Sequence, residues 1–403
     1  MAVGLQAPSQ VYPVDGIRLA ATRCGIKPGS EKSDLALVEI APGASVAAVF
    51  TRSHFCAAPV TLCKQHLAQL PASRYLLINS GNANAATGET GMENARACCA
   101  AIAEVTGVVP EAVLPFSTGV IAEQLPLDPV LAAIPGLVEA LDADRWLDVA
   151  EAIMTTDTLP KAISEQLEID GKTITITGIA KGSGMIKPDM ATMLSYVTTD
   201  AVIAQAELDH MLEDLVASSF NCITVDGDTS TNDSTVLIAT GASGVSVDRR
   251  HAAFYTALRQ LFERLAQAII RDAEGATKFV EVRVEGAASE DDALALGFTI
   301  AESPLVKTAL LASDPNWGRF IMAIGRAPLE RIDTDRIDLY LGPVRLLHRG
   351  LPDPDYREAM GQEQMSREEI SIRVNLGLGD CGTRIWTSDL SYDYVKINAE
   401  YRS

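Results

Sequence analysis

KGSGMIKPDMATMLSYVTTD, residues 181–200, sets a threonine among small and flexible neighbours where a glycine-rich turn runs into a strand. Gly182 and Gly184 open backbone conformations closed to other residues, and Pro188 fixes one φ angle, so the segment ahead of Ala191 can be held in a bent, strained path. After Thr192, MLSYVTTD alternates apolar and polar residues as a half-buried strand does. A hydroxyl on the first residue of a strand, just past a tight turn, has the geometry of a nucleophile presented at a sheet edge. Taken alone, the same threonine is also what an ordinary strand residue looks like.

On the N-terminal side, TITITGIAKGSGMI reads as the strand that enters this turn, and between Val11 and Ser80 the stretches VYPVDGIRLAATR, DLALVEI, SVAAVFT and YLLINS read as short strands. GMENARACCAAIAEV, from Gly91, carries apolar residues at helical spacing, and so does LVEALDADRWLDVAEAIM, which ends just before Thr155. On the C-terminal side, LDHMLEDLVASSF from Leu208 and HAAFYTALRQLFERLAQAIIRDAE from His251 are amphipathic helices. CITVDG, STVLIAT, FVEVRVEGA, RIDLYLG, EISIRVNLG and YDYVKI read as strands among them. Mixed strands and helices without strict βαβ repetition favour an α+β fold, a layered α/β/β/α-type sandwich of mixed sheets with flanking helices. PDPDYREAMGQEQMSREE, from Pro352, is the most loop-like stretch and reads as a surface excursion.

Composition narrows the function. A chain of 403 residues with 47% hydrophobic residues suggests two domains or one large layered one. A net charge of −20 argues against nucleic-acid binding, which needs a basic face, and against an anionic membrane surface. The start MAVGLQAPSQVYPV lacks the basic residues and apolar run of a signal peptide, and no apolar run reaches a membrane span, so a cytoplasmic protein is expected. The seven cysteines form no CxxC pair and read as reduced structural thiols, while the five histidines show no metal-binding spacing. DGDTSTND, from Asp226, lacks the glycine spacing and closing glutamate of a calcium loop, and reads as a tight turn satisfied by its own side chains. SGNANAATG matches neither a P-loop nor GxGxxG. No metal or redox cofactor is expected.

KGSGMI followed by MATML resembles the ornithine acetyltransferases (glutamate N-acetyltransferases) of arginine biosynthesis, and the resemblance covers nearly the whole chain. It includes GIRLAATRCGIK from Gly16, SVAAVFTRSHFCAAPV from Ser45, LLINSGNANAATG from Leu76, PFSTGVIAEQLP from Pro115 and IMTTDTLPK from Ile153. It continues through NCITVDGDTSTNDS from Asn221, DAEGATKF from Asp272, DPNWGR from Asp314 and the terminal KINAEYRS from Lys396.

The resemblance implies self-cleavage between Ala191 and Thr192, giving an alpha chain of residues 1–191 that carries the oxyanion hole and a beta chain of residues 192–403 that begins with the nucleophile. The physical logic is sound: a threonine hydroxyl needs a base, and cleavage creates one in the new α-amine, whose ordinary pKa is about 8. The family's oxyanion hole lands on the Thr118 hydroxyl and the Gly119 backbone N–H of STGVI, and a glycine amide can approach a reacting carbonyl closely. Substrate contacts land on Thr155, Lys181, Thr192, Glu274, Asn398 and Ser403. Lys181 offers a cation for a carboxylate, Asn398 and Ser403 neutral hydrogen bonds, and Glu274 an acceptor for the ornithine ammonium. Residue types leave open whether Thr155 or Thr156 makes its contact.

The implied reaction carries an acetyl group from N2-acetylornithine to L-glutamate through an acetyl ester on Thr192. Acetyl-CoA is an alternative acetyl donor in some such enzymes, and the implied assembly is a heterotetramer of two alpha and two beta chains. A rival reading is an amidohydrolase or aminopeptidase on a similar self-cleaving scaffold, although those relatives begin their second piece with serine. Three residues depart from the family pattern: Asp189 replaces the usual asparagine, Ala273 a common glycine, and Ser403 the usual terminal threonine.

Overall fold

The computed structural model describes residues 2–8, 10–187 and 193–400 and divides into two compact units: Ala7–Asn221 with Thr229–Ile269, and Met1–Gln6 with Cys222–Asp228 and Ile270–Ser403. The first unit begins with β1 (Ile17–Thr22), β2 (Leu35–Ile40), β3 (Ser45–Phe50), α1 (Ala58–Gln69), β4 (Tyr75–Asn82), α2 (Gly88–Thr106) and β5 (Val113–Val120). It continues with α3 (Leu127–Glu139), α4 (Trp146–Ala152), β6 (Lys161–Ile169), β7 (Lys172–Lys181), β8 (Leu194–Thr199) and α5 (Gln205–Ala217). Past the two-residue β9 (Ile223–Thr224) of the other unit come β10 (Ser234–Ala239) and α6 (Ala252–Arg271).

Side-chain alternation stacks this unit. Its strands form a four-stranded sheet, β1-β2-β4-β5, and a five-stranded sheet, β3-β10-β8-β7-β6. In β2, Ala36, Val38 and Ile40 point to one face of the first sheet and join Leu76, Ile78, Leu114 and Phe116 in a core shared with Ile179, Leu194, Tyr196, Val236 and Ile238 of the second. Phe116 and Tyr196 meet there edge to face, ring centres 5.2 Å apart. Leu35, Leu37, Tyr75 and Leu77 take the opposite face and pack under α2 and α3 through Cys98, Cys99, Ile102, Val130 and Ile134. On the outer face of the second sheet, a Cβ added to Gly178 of β7 would stand 2.9 Å from both Leu261 and Leu265 of α6. Helix, sheet, sheet and helix therefore follow in that order, the α/β/β/α sandwich expected from the sequence.

The second unit is built on a seven-stranded mixed sheet. Its further elements are β11 (Phe279–Ala287), α7 (Glu290–Ala301), α8 (Pro304–Leu311), α9 (Gly318–Gly325), β12 (Asp338–Leu341), β13 (Val344–His348), β14 (Leu351–Pro352), α10 (Glu358–Met365), β15 (Glu369–Asn375), β16 (Cys381–Ser388) and α11 (Tyr392–Ala399). The order is β14-β13-β12-β15-β11-β16-β9, with β11 parallel to β15 and antiparallel to β16. Residues 290–325, which the sequence patterns do not assign, hold three helices. Ser289 caps α7 by accepting from the Asp292 N–H, and Gly297 lets α7 lie close against Ile385 of β16.

Three sequence expectations are corrected. YDYVKI is helical, because Ser391 caps it through the Tyr394 N–H; its strand-like alternation reflects only that Tyr392 and Val395 are exposed. LVEALDADRWLDVAEAIM is not one helix, because the Asp142 backbone exchanges hydrogen bonds with Leu19 at 2.8 and 2.9 Å and draws the chain across β1 between α3 and α4. The stretch from Pro352 contains α10, which buries Gly361, Gln364 and Met365, with Gly361 beneath the Tyr356 ring. Among the described residues no single helix is long and apolar enough to cross a membrane.

The shared core between the two sheets gives a direct test of this layering. Ile238 is fully buried there, so Ile238→Ala should lower unfolding stability by about 2–5 kcal/mol in a urea titration. A loss below about 0.5 kcal/mol would mean that the sheets do not pack through it.

Candidate active site

Two strand ends and one loop of the first unit converge on a lysine. Lys181, the last residue of β7, is 8% exposed, and its Nζ donates to Thr155 Oγ1 at 2.9 Å and to Thr118 Oγ1 at 3.3 Å. Three of the candidate residues are thereby brought together. Thr156 instead pairs with Ser183, Oγ1 to Oγ at 2.7 Å, so of the two adjacent threonines it is Thr155 that faces Lys181. Because the lysine can only donate, both threonine oxygens act as acceptors toward it, and each hydroxyl hydrogen stays available for another partner.

Gly119 follows Thr118 at the end of β5 with φ +138°. A Cβ there would lie 2.3 Å from the Gly81 carbonyl carbon and 2.5 Å from the Asn82 nitrogen, backbone atoms of β4 that cannot yield. Only glycine lets β5 approach β4 this closely. The same strand end is pinned by Asn232, whose Nδ2 donates to the Ser117 carbonyl at 2.9 Å and the Ala83 carbonyl at 2.6 Å, and by the Ser117 hydroxyl on Asn79.

Beneath Lys181 lies a buried ion pair, Asp157 with Lys161 at 2.7 Å, both side chains fully shielded from solvent. Asp157 also accepts from the backbone N–H of Gly182 at 2.7 Å and of Thr155 at 3.0 Å. Burial alone pushes its carboxyl up, but the nearby ammonium groups of Lys161 and Lys181, with the hydrogen bonds from Lys161 and Gly182, outweigh that and hold it well below the usual carboxylate range. One carboxylate thus fixes both the loop bearing Thr155 and the turn leaving β7. Lys27 ends close by, donating to the Met154 carbonyl at 2.7 Å. Asp157, Lys161, Asn232 and Lys27 were not singled out from the sequence; the i,i+4 spacing of an acid and a base within TTDTLPK is the signal for the first pair.

Ala191, Thr192 and Ser403 lie outside the described residues, as does Asp189. The described residues on either side show how the segment is approached. Lys181 is the register partner of Leu194 across β7 and β8, and the Thr229 hydroxyl donates to the Lys187 carbonyl at 2.9 Å. Met185 takes φ +54°, so the local backbone strain sits there, whereas Gly182 takes φ +151°, which a glycine adopts freely.

The remaining candidates belong to the second unit. Asn398 Nδ2 donates to Glu274 Oε2 at 2.7 Å and to the Tyr394 carbonyl at 3.0 Å, and Tyr394 Oη donates to Asp226 at 3.2 Å. Two carboxylates and one neutral amide donor are thus gathered here, a set whose acceptors suit an ammonium group. None of the seven cysteines forms a disulfide, and burial pushes the Cys24 and Cys98 thiols up to about 12, where they are poor nucleophiles.

The model of the ArgJ family matches residues 18–403. The "arginine biosynthesis bifunctional protein ArgJ" of Methylococcus capsulatus is 52% identical over 398 residues, 98% of this chain and 97% of that protein. A solved structure of the protein of the same name from Bacillus halodurans is 42% identical with a TM-score of 0.50, covering 52% of this chain and 100% of its own. An ornithine acetyltransferase from Mycobacterium tuberculosis, solved with ornithine, is 34% identical with a TM-score of 0.38, covering 45% of this chain and 93% of its own.

The buried pair sets a testable dependence. Asp157→Asn would strand the Lys161 ammonium and should cost about 3–5 kcal/mol in denaturant unfolding. Since the folded carboxyl titrates below its unfolded value of about 4, the pair contributes stability above that pH and loses it as pH falls toward the folded value. The native protein should therefore lose stability on acidification more steeply than Asp157→Asn, and parallel curves would remove the assignment.

Proposed function

We infer the function from the family: this chain belongs to the ArgJ family, and we propose that it is an acyltransferase of arginine biosynthesis that moves an acetyl group from N2-acetylornithine to L-glutamate. The single observation that carries the reading on this chain is the Lys181 ammonium held between the hydroxyls of Thr118 and Thr155. It joins a cation for a substrate carboxylate to a hydroxyl whose hydrogen is left to stabilise an oxyanion.

Maturation begins with attack of the Thr192 hydroxyl on the Ala191 carbonyl. The acyl group shifts from nitrogen to oxygen, and water hydrolyses the ester, leaving residues 1–191 and 192–403 as alpha and beta chains. Either piece is about half of the chain. The Bacillus halodurans chain, matched end to end by 52% of this one, has the length that such a cut would leave. The two compact units do not coincide with these pieces: β7 and β8, on opposite sides of the cut, are neighbours in one sheet, so the pieces would stay interleaved.

In the mature enzyme the Thr192 amine takes the hydroxyl proton as the oxygen attacks the acetyl carbonyl of N2-acetylornithine. Thr118 Oγ1 and the Gly119 N–H stabilise the oxyanion and Lys181 with Thr155 holds the carboxylate; for the δ-ammonium and the remaining contacts the family resemblance points to Glu274, Asn398 and Ser403. Ornithine leaves with the proton. The neutral amine of glutamate then attacks the acetyl-Thr192 ester, and as the C–O bond breaks its proton passes through the Thr192 amine to the Thr192 oxygen, releasing N-acetylglutamate and the free hydroxyl. Acetyl-CoA as a second acetyl donor fits the "bifunctional" name of the Methylococcus relative. The assembly is two alpha and two beta chains, working in the cytoplasm.

Three measurements test this. Thr192→Ala should stay one chain on a denaturing gel and be inactive, and an active alanine variant would overturn the nucleophile. Varying acetylornithine and glutamate should give parallel double-reciprocal lines, whereas hydrolysis to acetate at the same rate without glutamate would favour an amidohydrolase. Thr118→Ala should lose roughly 100- to 1,000-fold in turnover, and unchanged turnover would remove the oxyanion assignment.

A further inference from the structure

The turn after β1 brings a second lysine to the place where Lys181 ends. Asp34 fixes that turn, accepting from the backbone N–H groups of Cys24 at 2.7 Å, Gly25 at 3.0 Å and Lys27 at 3.1 Å. The Lys27 side chain then crosses Gly81, where an added Cβ would stand 2.7 Å from Lys27 Cγ. Gly81 is the register partner of Gly119 across β4 and β5, so the lysine stem runs alongside the oxyanion glycine. Its ammonium ends on the Met154 carbonyl at 2.7 Å, and the next residue, Thr155, accepts from Lys181. Both lysines therefore end on one two-residue stretch of the loop.

Asp157 already takes Lys161 and the N–H groups of Gly182 and Thr155. Burial pushes the Lys27 pKa down to about 8, Asp34 and Asp157 oppose this, and Lys181 and Lys32 add to the lowering, so Lys27 and Lys181 repel each other. An anion docked between them would relieve that repulsion. The donor of the proposed reaction has one carboxylate and an ammonium, whereas the acceptor has two carboxylates. Resting on the acetyl-transfer reading, we infer that Lys27 is a specificity residue for the acceptor, its ammonium binding the second carboxylate of glutamate while Lys181 binds the one common to both substrates. One of its three N–H groups goes to Met154, which leaves donors for that carboxylate.

Lys27→Met keeps the stem and removes the charge. It should lower kcat/KM for glutamate by roughly 10- to 100-fold, the worth of a charge-assisted hydrogen bond, mainly through KM. Ornithine release from acetylornithine, followed as the first turnover without acceptor, should fall by much less, and the preference for glutamate over glutamine should shrink in proportion. Equal losses on both half-reactions, or an unchanged glutamate-to-glutamine ratio, would overturn the inference. Should the variant fail to fold, the unmutated enzyme still decides: glutamate should slow carbamylation of Lys27 by cyanate, read by peptide mass, and glutamine should not, whereas equal protection would again overturn it. Failure of the native enzyme to release ornithine at all would count against the acetyl-transfer reading instead.

Discussion

Asp157 is the constraint on which the site depends. A buried carboxylate must be matched by donors, and here the match is made by Lys161 at the start of β6, by the Gly182 N–H at the exit of β7 and by the Thr155 N–H of the intervening loop. Three pieces of chain that could otherwise move separately share one anchor. Lys181 stands directly before Gly182, so its reach to Thr155 and Thr118 follows from that anchoring. The cost of burying the charge is set against a fixed geometry at the strand end, where the proposed acyl-transfer site lies.

A second constraint comes from the strands themselves. Gly81 and Gly119 face each other across a parallel pair, and the space that side chains would occupy is filled by the β4 backbone beside Gly119 and by the Lys27 stem beside Gly81. The sandwich supplies the rigidity: Phe116, two residues before Thr118, is locked against Tyr196 of the facing sheet. The end of β5 is thus supported from the core between the layers rather than by loops alone.

Much of this was legible in the sequence because period-two strands and motif glycines carry local signals. The alternation in LALVEI and YLLINS sorts onto the two faces of the first sheet, and STGVI marks the glycine at Gly119. What escaped was decided by tertiary contact. Asp142 breaks a continuous helical pattern by pairing with Leu19, and YDYVKI alternates like a strand yet is turned into a helix by its Ser391 cap. Lys27, Asp157 and Asn232 look like ordinary polar residues until strands far apart in the chain bring them to one place. Which of Thr155 and Thr156 lies against Lys181 likewise depended on how the loop turns their hydroxyls.

In the proposed cycle one hydroxyl serves first to cut the chain and then to carry the acetyl group. Intact mass measurement of the purified protein under denaturing conditions, before and after incubation with N2-acetylornithine in the absence of glutamate, tests both roles at once. Two species are expected, residues 1–191 and 192–403, with a single acetyl group gained by the second, mapped to Thr192 and lost when glutamate is added. A single uncut chain that turns over acetylornithine, or an acetyl group lodged on any other residue, would contradict it.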